Sequence, residues 1–400
     1  MNSIMKFLTA AVALCAVTPV AATPLHTYSK IFDGTDTPIN QHSFRVPCLV
    51  KAKNNYLVAI VECRKDGTSD FGDININFKR SANYGNTWDT TMGEVVGTGP
   101  GSWTNPTAVV DMNSSTGRIW CFMSWNSDTI HAQSEVDVWG ERKVYSMYSD
   151  TNGASWVGLT DRTAALLPPS YHWDAMGPGI GIQMAQPATQ PYGHPGWLVI
   201  PAVGRNIYSE NGGGLWKLQP FASGGKGEST VTELTNGKIL RNDRPTGTYE
   251  SGQPERRHLA SGPIDGAMSS FTPHETLLDP HCEGSSLRYN FASGTAPERI
   301  IFLNSASSLV RTKMRLRVSY DGGVTWPAGA GRRLYDGILT EQQEEDQGKG
   351  GYSSMIKWGD VNAGYGVGAL VEINEGGTAQ HRSIEYHKMN LEWILNGYQE

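Results

Sequence analysis

The sequence predicts an all-β fold, a six-bladed β-propeller forming one domain over residues 23–400 behind a secretory signal over residues 1–22. Three observations carry that expectation. An eight-residue turn phrase recurs along the chain. Glycine and tryptophan are abundant (46 and 12 residues) while only 18% of residues are charged. Strand-length apolar runs alternate with turns, and no long helical period appears.

The turn phrase is fullest at Ser319-Tyr320-Asp321-Gly322-Gly323-Val324-Thr325-Trp326. Ser81-Ala82-Asn83-Tyr84-Gly85-Asn86-Thr87-Trp88 repeats it with Asn for Asp, Ser149 to Trp156 is a third copy, and Ser209 to Trp216 a fourth that has lost its Thr. A worn fifth starts at Ser261, with Asp265-Gly266 behind it. Successive starts lie 68, 60, 52 and 58 residues apart, which suits a four-stranded blade with long loops. In such a turn the Asp or Asn side chain bonds its own backbone, Gly takes the positive φ and the Trp packs beneath.

In chain order, Lys6, the apolar run Phe7 to Val17 and the small-residue site Val20-Ala21-Ala22 read as a secretory signal cleaved after Ala22. The run is too short to span a bilayer, so a secreted chain without membrane insertion is expected. Residues 43–64 read as a hairpin around Lys53-Asn54-Asn55. Further strand runs are Ala108–Val110, Ile119–Met123, Val144–Tyr148, Trp197–Val203, Ile300–Leu303, Met314–Val318 and Gly366–Val371. The acidic run Glu341 to Asp346 reads as a solvated loop face. Four clear repeats, the worn fifth and a last blade closed by terminal strands make six.

Cys15 leaves with the signal, and Cys48, Cys63, Cys121 and Cys282 show neither CxxC nor metal spacing; two bridges and four buried thiols are both open. Asn113-Ser114-Ser115 is a glycosylation acceptor sequence in a turn-like stretch. A net charge of −6 argues against a nucleic-acid partner. No H-E-x-x-H or EF-hand pattern is present, so no metal or other cofactor is expected. Oligomeric state is not legible.

Phrases spread over residues 40 to 397 carry a family resemblance. They include His42-Ser43-Phe44-Arg45-Val46-Pro47, Asp70-Phe71-Gly72-Asp73, Trp173 to Gly179, Arg241-Asn242-Asp243-Arg244-Pro245, Ser286 to Asn290, Gly350-Gly351-Tyr352-Ser353-Ser354 and Trp393 to Gly397. In order and spacing the chain resembles the exo-sialidases, and most the secreted fungal sialidases that favour Kdn, the deaminated sialic acid. The turn phrases are similar to the Asp boxes of that superfamily, which mark the fold and not catalysis.

The resemblance implies a retaining exo-α-sialidase acting on glycans that end in sialic acid or Kdn, with Kdn favoured over N-acetylneuraminic acid. It implies that Arg45, Arg244 and Arg311 clamp the substrate carboxylate, for which a planar, always charged guanidinium fork is suited. Tyr352 would be the nucleophile, since an anomeric carbon that already bears a carboxylate repels an attacking Asp or Glu; sialidases are known exceptions to the two-carboxylate scheme. A phenol with a reference pKa near 10 needs a base, and Glu228 is the candidate. Three nearby guanidiniums would favour phenolate character.

The family spacing of 16 residues selects Glu228 with Arg244, while Glu233 and Arg241 stay open as neighbours. Asp70 would be the general acid/base, with Asp66 and Asp73 as nearby alternatives that cap turns. Arg64 resembles the arginine near the sugar's C4 hydroxyl, although Cys63 and Lys65 depart from the relatives' Glu-Gly-Arg-Arg. Trp125 and Arg142 resemble residues beside the C5 substituent. Arg315 and Arg317 alternate along their strand and are expected on its solvated face. A trans-sialidase lacks a recognisable acceptor platform here, and a propeller lectin would have lost Tyr352, Asp70 or a clamp arginine.

Overall fold

The computed structural model describes residues 23–34, 43–65, 67–97, 99–221, 227–246, 254–326, 331–360, 364–374 and 381–396. The signal at residues 1–22 and the alternative acid Asp66 lie outside them. The described chain is all-β, with strands in five sheets arranged like a propeller. Its helices are short: Thr163–Leu166, Glu341–Asp346, Leu391–Leu395 and the 3₁₀ turn Gln133–Glu135.

Four sheets have four strands each, and the fifth has nine. The nine-stranded sheet joins two meanders where Ile74 pairs in parallel with Ser102. The last sheet is closed by the other end of the chain, because His26–Phe32 pairs antiparallel with His381–Asn390. Leading strands touch in turn around a ring: Ser43–Lys51 meets Ser102–Val110 and Ser353–Asp360, Ser353–Asp360 meets Ser285–Asn290, and Ser285–Asn290 meets Ser229–Glu233. Gly179–Ile180 completes it, lying against both Ser102–Val110 and Ser229–Glu233.

Every expected strand run forms. Ser43–Lys51 and Leu57–Arg64 are the expected hairpin. Both are buried on both faces, which is why they read as nearly continuous apolar runs and not as alternation. The cores lie between neighbouring sheets. Leu49, Leu57, Leu370, Ile384 and Tyr386 pack the first hairpin on the last sheet, each such side chain stabilising by about 1.5–3 kcal/mol.

The repeated turns share one hydrogen-bond scheme. Ser81, Ser149, Ser209 and Ser319 Oγ accept from the N–H of Gly85, Gly153, Gly213 and Gly323 at 2.8, 2.9, 2.8 and 2.9 Å. Asn83, Asn211 and Asp321 accept from the N–H four residues on at 2.9 Å. In the third copy Thr151 Oγ1 takes that place toward Ser155 N. The glycines are needed twice over. Gly323 has φ +84°, and a Cβ there would lie 2.5 Å from Leu240 of the neighbouring sheet. The worn fifth copy is a different turn, in which Ser261 N donates to Ser269 Oγ and Gly266 N to Pro263 O.

Two expectations are corrected. Glu341–Asp346 is a helix and not a loop, although Glu341, Gln342, Gln343 and Asp346 are exposed as expected; it is started by a capping box in which Thr340 Oγ1 accepts from Gln343 N and the Gln343 side chain returns the bond. Its Glu344 is fully buried and accepts from Arg333 at 2.7 Å and Arg315 at 3.4 Å. Arg315 and Arg317 are therefore buried, not solvated, because this strand is covered on both faces and neighbouring segments bring polar partners. Arg317 Nη1 donates to Asn304 Oδ1. The four cysteines are buried free thiols.

Candidate active site

At one end of the ring a cavity of about 560 Å³ is lined by Arg45, Arg64, Asp70, Arg142, Glu228, Arg244, Arg311 and Tyr352. Each is delivered by a leading strand, by its partner or by the loop beside it.

Glu228 and Arg244 flank a hairpin. Ser229–Glu233 pairs with Ile239–Asp243, Ser229 facing Asp243, and Arg244 N donates to Glu228 O at 2.8 Å. The spacing of 16 residues thus puts the two side chains opposite each other at the open end of the hairpin. Glu233 and Arg241 are set apart. Glu233 accepts from Ala185 N and Gln186 N, and Arg241 is fully buried against Asp243.

Tyr352 stands where the last sheet begins. Its hydroxyl donates to Glu228 Oε2 at 2.5 Å and accepts from Arg244 Nη1 at 2.6 Å, and Arg244 also pairs with Glu228 Oε2. The Arg45 and Arg311 guanidiniums lie 5.2 and 5.5 Å from the ring centre. Burial pushes the phenol well above its ordinary pKa, Glu228 adds to this, and the three arginines pull the other way without prevailing. The arginines act in the expected direction, toward phenolate, but burial outweighs them, so a base at the hydroxyl is needed and Glu228 is the carboxylate in hydrogen-bond contact with it. Gly350, before Tyr352, has no room for a side chain, since a Cβ would lie 2.7 Å from Arg311 O.

Arg45 follows Phe44 on a bulged strand in which Val46 has φ +53°, a strained value for a β-branched residue. Its guanidinium is held by Glu372, with Nε at 3.2 Å and Nη2 at 3.3 Å, and it reaches Asp70 at 3.3 Å. Arg64 is gripped by Glu62 at 2.6 Å and meets Asp70 at 2.7 Å. Glu62 also accepts from Asn105 N, tying the two meanders together at the pocket. Asp70 sits on the loop after that strand with its side chain 68% exposed. Desolvation there works to raise its pKa, but Arg64 and then Arg45 outweigh it and hold the carboxyl below the usual range. Asp73 is occupied by Lys65.

Arg142 is buried without a carboxylate partner among the described residues. It donates to Asp174 O at 2.8 Å, Thr104 Oγ1 at 2.6 Å, Asn105 Oδ1 at 3.0 Å and Asn126 Oδ1, beneath the Trp173 ring. Burial lowers its pKa to about 10. Trp125 is corrected: it does not line the cavity but packs against Trp103 and Tyr145. Its place on the strand Ile119–Asn126 turns the ring into the core between neighbouring strands.

Sequence reasoning missed Glu62 and Glu372 as partners of the arginines. Glu372 is the one acid in the apolar run Val367 to Ile373, and a buried charge in such a run is the signal that could have found it.

A sheet propeller with a pocket of opposed arginines and carboxylates around a phenol fits an anionic ligand, which leaves both a glycoside hydrolase and a binding module open. The comparisons narrow it. The chain is 38% identical to an exo-alpha-sialidase of Aspergillus fumigatus, covering 94% of this chain and 93% of that one. It is 37% identical to an exo-alpha-sialidase of Arthroderma benhamiae over 89% of this chain and 85% of the other. A leech intramolecular trans-sialidase shares the fold with a TM-score of 0.71 at 15% identity, covering 94% of this chain and 72% of that one. No protein-family model matches. The chain belongs to the exo-α-sialidase family.

Proposed function

We propose that this protein is a secreted, retaining exo-α-sialidase that releases terminal nonulosonic acids from glycans, with Kdn favoured over N-acetylneuraminic acid. One observation carries the reading: a single phenol bonded to both Glu228 and Arg244, with Arg45 and Arg311 flanking its ring. The fold expected of such an enzyme has six blades. The ring of leading strands supports counting the nine-stranded sheet as two, and the shared turns as Asp boxes.

Arg45, Arg244 and Arg311 receive the substrate carboxylate and hold the anomeric carbon over Tyr352. As the bond to the aglycone lengthens, the phenol oxygen attacks and its proton passes to Glu228. Positive charge building at the sugar ring is balanced by the carboxylate and by the tyrosyl oxygen. Asp70 gives its proton to the departing oxygen, then takes one from the water that attacks the anomeric carbon on the face the aglycone left, while the bond to the Tyr352 oxygen breaks and Glu228 returns its proton to the phenol, so configuration is retained.

Asp70 is held acidic, against desolvation, by the two guanidiniums that face it. A bound carboxylate partly cancels the charge of Arg45, and the sugar removes water from Asp70; both changes raise its pKa toward that of a working acid. The Kdn preference is supported by Arg142, Thr104 and Asn105. They form a polar wall that can meet a C5 hydroxyl, whereas an N-acetyl methyl needs apolar surface.

The test is the purified protein with matched methylumbelliferyl glycosides of Kdn and N-acetylneuraminic acid, and NMR of the first-formed product. Faster release of Kdn with the substrate's anomer retained is expected. Cleavage of neither glycoside would turn the reading into a binding propeller, and an inverted first product would remove the tyrosyl intermediate.

A further inference from the structure

We propose that Glu283 is a positioning residue for this reaction, one that sets the Tyr352 phenol against Glu228 from behind. The proposal rests on the reading of Tyr352 as nucleophile. Two successive peptide groups at the nucleophile are anchored by buried carboxyls from separate segments, Glu372 on the strand Gly364–Asn374 and Glu283 just ahead of the strand Ser285–Asn290. Tyr352 N donates to Glu372 Oε2 at 3.0 Å, and Ser353 N donates to Glu283 Oε2 at 2.9 Å. The first carboxyl is explained by Arg45, which it also holds. The second has no cation within salt-bridge distance among the described residues, although Glu283 is only 2% exposed.

An acid placed there without a counter-charge weakens the fold unless the contact it makes is worth the desolvation. Its surroundings show what that contact serves. The segment from Asp279 to Glu283 is clipped at its start, where Asp279 pairs with buried Arg257 at 3.1 Å and accepts from Cys282 N at 2.8 Å. Arg257 also donates to Cys282 O. Three consecutive residues then reach the site. His281 O accepts from Arg311 Nη2 at 2.8 Å, Cys282 packs with Tyr352 and Val46 in one small buried cluster, and Glu283 takes the Ser353 amide. One clipped loop therefore holds both a clamp arginine and the backbone of the nucleophile.

Burial drives the Glu283 carboxyl well above its ordinary range, and nearby Glu228 and Glu372 add to the rise despite the Ser353 amide and Arg257. The Ser353 contact uses one acceptor oxygen, Glu283 Oε2, and a glutamine carbonyl can supply the same acceptor at the same reach. Glutamine should then replace it, and alanine should not.

The experiment measures kcat, KM and the pH profile on the methylumbelliferyl Kdn glycoside for Glu283→Ala, Glu283→Gln and Glu283→Asp. Displacement of a reacting group by about 1 Å can cost on the order of 100-fold. Glu283→Ala should lower kcat by about 10- to 100-fold with KM within about twofold. Glu283→Gln should restore kcat to within about threefold of the parent with an unshifted pH profile. If Glu283→Ala does not fold, Glu283→Asp carries the test: one methylene too short, it should lose about tenfold in kcat where Gln does not. Equal kcat in all variants, a Gln variant as slow as Ala or Asp, or a shifted pH profile in the Gln variant would overturn the proposal. A parent protein without glycosidase activity overturns both this and the sialidase reading, while an active parent indifferent to Glu283 overturns this one alone.

Discussion

Glu372→Gln should destabilise the protein and loosen the clamp together, and the size of the effect follows from counting donors. The Glu372 side chain is fully buried and, among the described residues, accepts at least four N–H groups: Arg45 Nε and Nη2 at 3.2 and 3.3 Å, Val46 N at 2.7 Å and Tyr352 N at 3.0 Å. A glutamine offers one carbonyl oxygen, and its amide nitrogen must face donors in the other position. Two hydrogen bonds to a charged group are lost, at about 1.5–3 kcal/mol each. That agrees with about 3–5 kcal/mol for breaking a buried ion pair by removing one partner. With about 2.1 cal/mol/K of unfolding entropy per residue, a chain of 400 residues shifts about 1.2 °C per kcal/mol, so the midpoint should fall by about 4 to 6 °C. Calorimetry reads this directly. Binding of a carboxylate-bearing nonulosonic acid analogue to the same variant should weaken at least tenfold, because Arg45 loses its fixed orientation. A midpoint within about 1 °C of the parent, with unchanged analogue affinity, would refute the view that Glu372 holds the arginine and the nucleophile.

Three further outcomes are expected. Asp70→Asn should cut turnover of an alkyl or sugar glycoside by about 10² to 10⁴ while sparing the first step on an activated aryl glycoside, whose leaving group needs no proton; equal losses on both would deny Asp70 the acid role. Arg311→Lys keeps a charge but loses the planar fork, and should weaken a carboxylate analogue by about 10- to 100-fold, while unchanged affinity would take Arg311 out of the clamp. His26 lies on the strand that closes the last sheet, bonded to His387 at 3.1 Å, and burial first, then His387 and Arg332, lowers its pKa to about 3 against the pull of Glu385. The unfolded chain protonates near pH 6.5 and the folded one does not, so stability is full above pH 6.5 and declines as pH falls toward 3, by about 2–3 kcal/mol between pH 6.5 and 4.5. His26→Phe should remove about 2 to 3 °C of that acid-side drop in the unfolding midpoint, and an undiminished drop would assign the acid sensitivity elsewhere.

What could be read in the chain was what repeats or sits close in sequence. The turns were legible because each is closed by its own residues, from Ser319 to Thr325 for example. Glu228 and Arg244 were legible as a pair because a single hairpin sets them opposite. The supports of the site were not. Arg45 and Glu372 are 327 residues apart, and only the closure of the ring brings them together. The same holds for Ser353 and Glu283, which meet from separate segments. Alternation misled at Arg315 and Arg317 because it tells which face a side chain takes and not whether that face meets water. Trp125 failed for a related reason: its phrase marks a strand near the pocket, while the packing of Trp103 and Tyr145 decides where the ring goes.

The claim at the centre is that the Tyr352 oxygen forms the covalent bond to the sugar. A slow fluorinated nonulosonosyl fluoride should label the parent protein, with digestion and mass spectrometry placing the added sugar on the peptide that contains Tyr352, and Tyr352→Phe should take up none there. A label on Glu228 or Asp70 in the parent, or turnover of the reagent at the parent's rate by the Phe variant, would contradict it.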